Sequence, residues 1–140
     1  MIHQISVFVE NQPGRLCEIT GVMAERGIDI RAFTIADTTD FGILRLIVSD
    51  PDAAVEALRA TGVTVSKTEV LGVRLEDTPG YLHRVLDILR AAEISVEYAY
   101  AFMTRQRGDA CVILRTDMLK EAAEALKKQN ITLMEDCGAL

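Results

Sequence analysis

The stretch "ENQPGRL", Glu10–Leu16, ends an alternating apolar run, and the similar stretch "EDTPGYL", Glu76–Leu82, does the same later in the chain. When Gly14 is set on Gly80, the apolar positions coincide without a gap on both sides of the turn. Upstream of the turn the coinciding residues are Ile5, Val7 and Val9 in the first copy and Leu71, Val73 and Leu75 in the second. A shared turn together with a shared periodicity indicates an internal repeat.

The repeat continues to the C-terminal part of the chain after one small insertion. Two extra residues in the second copy bring AEALKKQNITL (123–133) onto VEALRATGVTV (55–65). We therefore expect two domains, 1–68 and 69–140, each one copy of a unit of about 70 residues. Almost no turn-forming residue interrupts the sequence between them, so we expect the units to pack together rather than to hang on a linker.

Each copy begins with a predicted strand and a predicted helix. The alternation before the turn is typical of a strand with one buried face. After the turn the apolar spacing changes to that of a helix, with Leu16, Ile19 and Met23 in one copy and Leu82, Val85 and Leu89 in the other. Gly27 is placed to end the first helix at the C′ position.

The rest of the first copy predicts two strands, a helix and a closing strand. The strands cover 28–37 and 42–50 and are joined as a hairpin. A helix follows from Pro51 to Gly62, and residues 63–67 form the closing strand. Because both strand-helix-strand crossovers must be right-handed, the two helices lie on one face of a four-stranded antiparallel sheet. The fold class is therefore α+β, with two tandem ferredoxin-like βαββαβ units.

Composition narrows the class of protein. Of 140 residues, 49% are apolar and 26% are charged, a profile typical of a folded domain. The net charge of −6 would repel nucleic acid and anionic membranes, so we expect neither as a partner. No spanning or signal-like segment is visible, which favours a cytoplasmic protein. The three cysteines, Cys17, Cys111 and Cys137, have no CxxC spacing, so we expect no metal site. The sequence also lacks a catalytic or nucleotide-binding motif, so we expect no cofactor and no enzymatic activity.

Both turns carry the pattern Asn/Asp-x-Pro-Gly-x-Leu at the end of the first strand of a βαββαβ unit. In this the chain resembles the ACT domain, a small-molecule sensing module attached to many enzymes of amino-acid metabolism. The resemblance covers essentially the whole sequence and implies a stand-alone tandem ACT protein that binds an amino acid and regulates an enzyme.

The physics of the turn fits such a role. Pro13 and Pro79 preset φ and remove an amide that would be orphaned at the helix start, while Gly14 and Gly80 leave room for a ligand to approach backbone N–H groups. Those donors, at the positive end of the helix dipole, suit a carboxylate. Asn11 and Asp77 could accept from a ligand ammonium, although both residue types also stabilise turns by bonding their own backbone. Leu16, Tyr81 and Leu82 would supply apolar walls.

The resemblance also implies that ACT units pair through their second strands, with a ligand between the turn of one unit and the second strand of another. On that strand the ligand-binding positions are Asp29 and Ser95, which differ in charge, so we expect two non-equivalent sites. Pairing would cover a long apolar edge strand and favours a homodimer. The predicted ligand-binding set is Asn11, Pro13, Gly14, Arg15, Leu16, Asp29, Asp77, Gly80, Tyr81, Leu82 and Ser95.

Two other classes of function stay open from the sequence, and the assignment of one aromatic stripe is open as well. The weaker class, an enzyme or metal carrier on a ferredoxin-like scaffold, stays open because a fold does not fix a function. The chain could be a detached regulatory subunit whose main work is to bind a catalytic partner of amino-acid metabolism, with ligand binding secondary. The alternating Tyr98, Tyr100 and Phe102 could line a ligand site, but an aromatic strand stripe is more often core or interface. Arg105 and Arg107 are expected in solvent at the second hairpin tip.

Overall fold

The structure is a computed structural model that describes residues 1–37, 40–103 and 109–135. Arg105, Arg107 and Cys137 lie outside the described residues. The chain divides into two compact units. The N-terminal unit comprises His3–Thr68, and the C-terminal unit comprises the described residues from Glu69 onward together with Met1 and Ile2.

The N-terminal unit has the predicted strand-helix-strand-strand-helix-strand order. Its elements are β1 (Ile2–Glu10), α1 (Arg15–Glu25), β2 (Ile30–Asp37), β3 (Phe41–Val48), α2 (Pro51–Ala60) and the beginning of β4 (Val65–Glu76). β3 pairs antiparallel with both β1 and β2. The chain entering β4 lies beside β1, where the Phe8 amide donates to the Thr64 carbonyl at 3.0 Å.

The C-terminal unit repeats this order. After the end of β4 come α3 (Tyr81–Ala91), β5 (Tyr98–Met103), β6 (Asp109–Arg115), α4 (Leu119–Lys128) and β7 (Leu133–Met134). β6 pairs antiparallel with β4 and β5, and β7 pairs antiparallel with β4. The predicted fold class, two ferredoxin-like α+β units, is confirmed.

The predicted alternation places one face of each first strand in the core. Ile5 and Val7 pair with Leu46 and Leu44 on β3, and all four are almost completely buried. In the C-terminal unit the equivalent buried pairs are Leu71 with Leu114 and Val73 with Val112. Each core is completed by one apolar stripe from each helix, led by Ile19, Met23 and Leu58 in the first unit and Val85, Leu89 and Leu126 in the second.

Three details of the predicted elements were wrong. Leu16 and Leu82, predicted in the buried helical stripe, are 41% and 44% exposed, because they lie in the first helical turn and the core-facing stripe begins one turn later. The closing strand of the first copy and the first strand of the second are one continuous strand, β4. The second strands also begin later than predicted, at Ile30 and Tyr98.

The late start of the second strands has a local cause. At the end of α1 the Ile28 amide donates to the Met23 carbonyl at 2.9 Å and Gly27 adopts φ 65°, which together form a Schellman motif. The equivalent bond after α3 joins the Ile94 amide to the Leu89 carbonyl at 2.9 Å. An amide that closes a helix cannot also join a sheet ladder, so Ile28 and Ile94 stay outside the strands.

Candidate functional site

The two Pro-Gly turns have the same backbone geometry. Gly14 has φ 86° and ψ −8°, and Gly80 has φ 90° and ψ −8°. With proline before each glycine, these are the central angles of a type II turn, which requires a positive φ at the glycine. The turns close by hydrogen bonds from the Arg15 amide to the Gln12 carbonyl at 3.4 Å and from the Tyr81 amide to the Thr78 carbonyl at 3.2 Å.

Each glycine is also the N-cap of the helix that follows. Its carbonyl accepts the first helical bond, from the Glu18 amide at 3.0 Å in one unit and from the Arg84 amide at 2.9 Å in the other. Neither glycine has a side chain to cap the helix, so within the described parts of the chain no side chain accepts from the first-turn amides. A Cβ built at Gly14 or Gly80 has nothing within 4 Å. Each helix therefore begins without a side-chain cap, and the place where a Cβ of its N-cap residue would stand is open.

The role predicted for the two prolines needs correction. Pro13 and Pro79 precede the N-cap glycines, so they lie in the turn and not in the first turn of the helix. Their fixed φ suits the first central position of a type II turn, and this preference explains their placement. The N–H group that proline lacks is therefore missing from the turn and not from the unpaired N–H groups in the first turn of the helix.

The predicted polar residues of the turn lie on the surface. Asn11 and Asp77 are exposed, and the Asn11 amide donates to the Asp40 carbonyl at 3.0 Å. Arg15 pairs with Glu10 at 3.5 Å and with Glu18 at 3.0 Å. These pairs hold the guanidinium beside the turn of the N-terminal unit. Tyr81, which occupies the same position in the C-terminal unit, has its ring 5.9 Å from the Arg84 guanidinium carbon.

Asp29 and Ser95 were predicted on the second strands, and this placement was wrong. Both lie in the segment between the helix cap and the start of the strand. The Asp29 amide donates to Ser49 Oγ at 2.9 Å, and its carboxylate lies 3.9 Å from Arg31 Nε. Ser95 is exposed. The described bonds of Asp29 lead to Ser49, which follows β3, and to Arg31 on β2, and not to the turn of its unit.

The aromatic stripe of β5 lies on the face opposite the helices. Tyr100 pairs with Ile113 and Phe102 with Cys111, whereas the core residues Val112 and Leu114 point to the helix side. Tyr98, Tyr100 and Phe102 are half-buried.

A groove in the N-terminal unit was missed by sequence reasoning. It has a volume of about 740 Å³ and lies between α1, the end of β1 and the segment Thr61–Thr64. Of the predicted site residues it includes Arg15. We call it the α1 groove. Phe8 and Phe41, which replace Arg74 and Asp109 of the second copy, were its only visible signal in the sequence.

The described residues contain neither a metal-binding cluster nor a membrane-spanning helix. In the described part of the chain, no group of three or more His, Cys, Asp or Glu side chains could hold a metal ion. No helix among the described residues is both long enough and apolar enough to cross a membrane.

Comparison with known proteins agrees with the duplicated turn and the fold. A family model described as an ACT domain pair matches residues 1–139. The chain belongs to the ACT domain pair family. The resemblance to the ACT domain that the two turns indicated is thereby confirmed over residues 1–139, and we call the chain the ACT pair.

Among curated proteins, the ACT pair is similar to small subunits of acetolactate synthase. It is 29% identical over 90 residues to the isozyme 3 small subunit of Escherichia coli, covering 64% of this chain and 44% of that protein. It is 28% identical over 98 residues to the small subunit of Buchnera aphidicola, covering 69% of this chain and 50% of that protein. The chain thus spans about half the length of the curated relatives it matches.

Among solved structures, the ACT pair is similar to protein BT0572 from Bacteroides thetaiotaomicron. The two are 38% identical with a TM-score of 0.91, covering 99% of this chain and 94% of that one. The regulatory subunit of aspartate kinase from Thermus thermophilus has the same fold at 18% identity, with a TM-score of 0.64 and coverage of 90% and 91%.

Proposed function

We propose that this ACT pair is a cytoplasmic, non-enzymatic regulatory protein that binds an amino acid at its β1–α1 and β4–α3 turns. The observation that supports this proposal most directly is that α1 and α3 each begin without a side-chain cap, at a glycine with a positive φ, Gly14 or Gly80. Backbone N–H groups and the helix dipole at these positions suit an α-carboxylate. Asn11 and Asp77 beside the turns are candidate acceptors for the ammonium, and Leu16, Tyr81 and Leu82 are candidate contacts for the side chain.

The remaining part of each proposed site would come from the segment before the second strand of another unit. There Asp29 can neutralise an ammonium, whereas Ser95 can only accept a hydrogen bond from it. We therefore propose that the two kinds of site differ in affinity. Pairing of units also accounts for Phe33, which is 64% exposed on β2 and would be covered in a homodimer.

A thermal-shift screen of the full chain against the twenty amino acids tests ligand binding, because a ligand that binds only the folded state raises the melting temperature. The decisive variant is Gly14→Asn. Asparagine tolerates the left-handed conformation, so it adds bulk at the open helix end with little backbone strain. We expect it to weaken binding of the stabilising amino acid by about tenfold or more.

Gly27→Asn is the matched control, since Gly27 also has a positive φ and also has nothing within 4 Å of a built Cβ. It should bind as the parent does. Asn11→Ala removes one candidate polar contact without adding bulk and should also weaken binding while the protein stays folded. If Gly14→Asn, Gly80→Asn and Asn11→Ala all bind like the parent, the turns are structural and the proposed site is wrong.

A second candidate function is that of a regulatory subunit held by a catalytic chain, with ligand binding secondary. Similarity to small subunits of acetolactate synthase supports it. The test is sedimentation of this protein mixed with the purified acetolactate synthase catalytic chain of the same organism. A stable complex that forms without any amino acid would favour this candidate, and separate boundaries at micromolar concentration would count against it.

A further inference from the structure

The α1 groove carries an exposed aromatic pair. Phe8 is 50% exposed and Phe41 is 43% exposed, and their ring centroids lie 5.3 Å apart with an interplanar angle of 40°. Aromatic side chains bury large apolar areas on binding and are enriched in the centres of interfaces. Val9, Ile19 and Val22 extend the apolar lining toward α1.

Charged side chains line the same groove with an excess of carboxylates. Among the described lining residues, Glu10, Glu18 and Glu25 are acidic and Arg15 is basic, which leaves two negative charges in excess. Arg15 is engaged with Glu10 and Glu18. Glu25 lies two helical turns beyond Glu18, roughly 10 Å along the axis of α1 at about 1.5 Å per residue. The negative charge is therefore spread along the groove and is not concentrated at one point.

The second copy has the same backbone but different side chains at the equivalent place. The Arg74 amide donates to the Thr132 carbonyl at 3.0 Å, as the Phe8 amide does to Thr64. In place of the two phenyl rings stands an ion pair, with Arg74 Nε 2.7 Å from an Asp109 carboxylate oxygen.

The C-terminal unit also has a side chain that spans this place. Arg84, which aligns with Glu18, extends from α3 to the carbonyl of Gln129 after α4, at 3.1 Å, and contacts the ring of Tyr81. The second copy thus has an ion pair and an extended arginine at the positions where the first copy has two phenyl rings and Glu18. The open, aromatic and acidic groove is consequently a property of the N-terminal side chains and not a requirement of the fold.

We propose that the α1 groove binds a segment of a partner protein in which lysine or arginine residues alternate with aromatic or large apolar residues. Phe8 alternates with the core residues Val7 and Val9, so the phenyl pair lies on the sheet face opposite α1. Successive side chains of an extended segment point to opposite sides, so its apolar side chains cover the Phe8–Phe41 pair while its cations point toward Glu18 and Glu25 on α1.

A single small ammonium compound cannot reach both carboxylates, whereas alternate residues of an extended segment lie about 7 Å apart and carry long side chains. The groove shares Arg15 with the predicted amino-acid site, but the proposed contacts, Phe8, Phe41, Glu18 and Glu25, lie outside the predicted ligand-binding set.

The probe is the synthetic peptide acetyl-Lys-Phe-Lys-Phe-amide, titrated into the isotope-labelled full chain and followed by amide chemical shifts. We expect saturable shifts at Val22, Glu25 and Thr64, and none with acetyl-Glu-Phe-Glu-Phe-amide. The test variant is Glu18→Arg, which places an arginine where Arg84 stands in the second copy. It should weaken peptide binding by about tenfold or more.

Glu124→Arg is the matched control, because it changes the net charge equally at an exposed position of α4 in the other unit. It should leave binding of the peptide within about twofold of the parent. A second test variant, Phe8→Arg/Phe41→Asp, copies the Arg74–Asp109 pair and should also abolish binding. Dispersed amide spectra check that each variant is folded.

Several outcomes would overturn the proposal. One is an absence of saturable binding to the parent protein, and another is an equal loss in Glu18→Arg and Glu124→Arg, which would mean non-specific attraction to an acidic protein. Phenethylammonium binding as tightly as the peptide would make the groove a small-cation site. Self-association that Glu18→Arg abolishes would make its occupant a second copy of this chain.

Discussion

Asp52 lies in the first turn of α2, and its carboxylate accepts a hydrogen bond from Lys67 Nζ at 2.6 Å. That hydrogen bond and the lysine charge lower the pKa of Asp52 below its ordinary value of 3.8, with a smaller contribution in the same direction from the His3 charge. Both partners are exposed, so water screens their attraction and the pair contributes little to the free energy of unfolding. The measurable effect of the pair is the lowered pKa of Asp52.

Lys67→Met should therefore raise the pKa of Asp52 toward the ordinary aspartate value, as followed by the carboxyl carbon shift in an NMR pH titration. Because the folded-state pKa is lowered, the pair stabilises the parent above the unfolded-state pKa and loses that contribution as the pH falls through the folded-state pKa. The variant should show a weaker dependence of stability on pH in this acidic range. An unchanged Asp52 titration would show that Lys67 is not its partner in solution.

Helices α1 and α3 end in the same hydrogen-bond pattern but with different residues at the left-handed position. The Gly27 amide donates to the Ala24 carbonyl at 3.1 Å, and the Glu93 amide donates to the Arg90 carbonyl at 2.9 Å. Gly27 has φ 65° and Glu93 has φ 58°. Glycine adopts this region without a Cβ clash, whereas glutamate does so at a cost. The repeat alignment predicts that α3 ends at the position equivalent to Gly27. That position holds Glu93, although glycine is the residue preferred there.

Glu93→Gly should stabilise the C-terminal unit by about 1 kcal/mol, since it relieves the strain of a non-glycine residue with positive φ. The measurement is urea unfolding monitored by probes in each unit. Gly27→Ala is the reciprocal control and should destabilise the N-terminal unit by a similar amount. A loss of stability in Glu93→Gly would mean that the glutamate side chain contributes more there than the backbone strain costs.

At the scale of the whole chain, the boundary between the two units falls inside β1 and inside β4. The sequence repeat does not predict this division. β4 begins in the N-terminal unit and ends in the C-terminal unit, and Ile2 belongs to the C-terminal unit although His3 belongs to the other. Ile2 is buried, and a Cβ built at Gly72 would meet its Cδ1 atom and lie 3.3 Å from Met134 Cβ. Glycine at position 72 thus leaves room for Ile2.

Ile2→Ala should consequently destabilise the C-terminal unit, by about 2–5 kcal/mol for a buried isoleucine. Amide hydrogen exchange should accelerate more at Val73 and Leu114 than at Leu44 and Leu46. Ile5→Ala, in the core of the N-terminal unit, should give the opposite ranking. Equal acceleration in both units by both variants would mean that the chain unfolds as one cooperative body.

The repeat, the element order and the left-handed glycines at the two turns could be predicted from the sequence alone. Alternation, helical spacing and the Pro-Gly pair are local properties, and each limits the backbone whatever lies around it. The sequence also predicted room beside the backbone N–H groups at Gly14 and Gly80, but it placed the prolines at the helix start, where the structure has the glycines as N-caps.

Tertiary contacts decided the rest. Ile28 and Ile94 stay outside the second strands because their amides close the preceding helices. In the C-terminal unit Arg84 reaches the Gln129 carbonyl, whereas Glu18, which aligns with Arg84, pairs with Arg15 on its own helix. Such features depend on which side chains from distant segments meet, and a periodic pattern does not contain that information. The sequence therefore determined the fold and the turns, while packing determined which parts of the surface were left open.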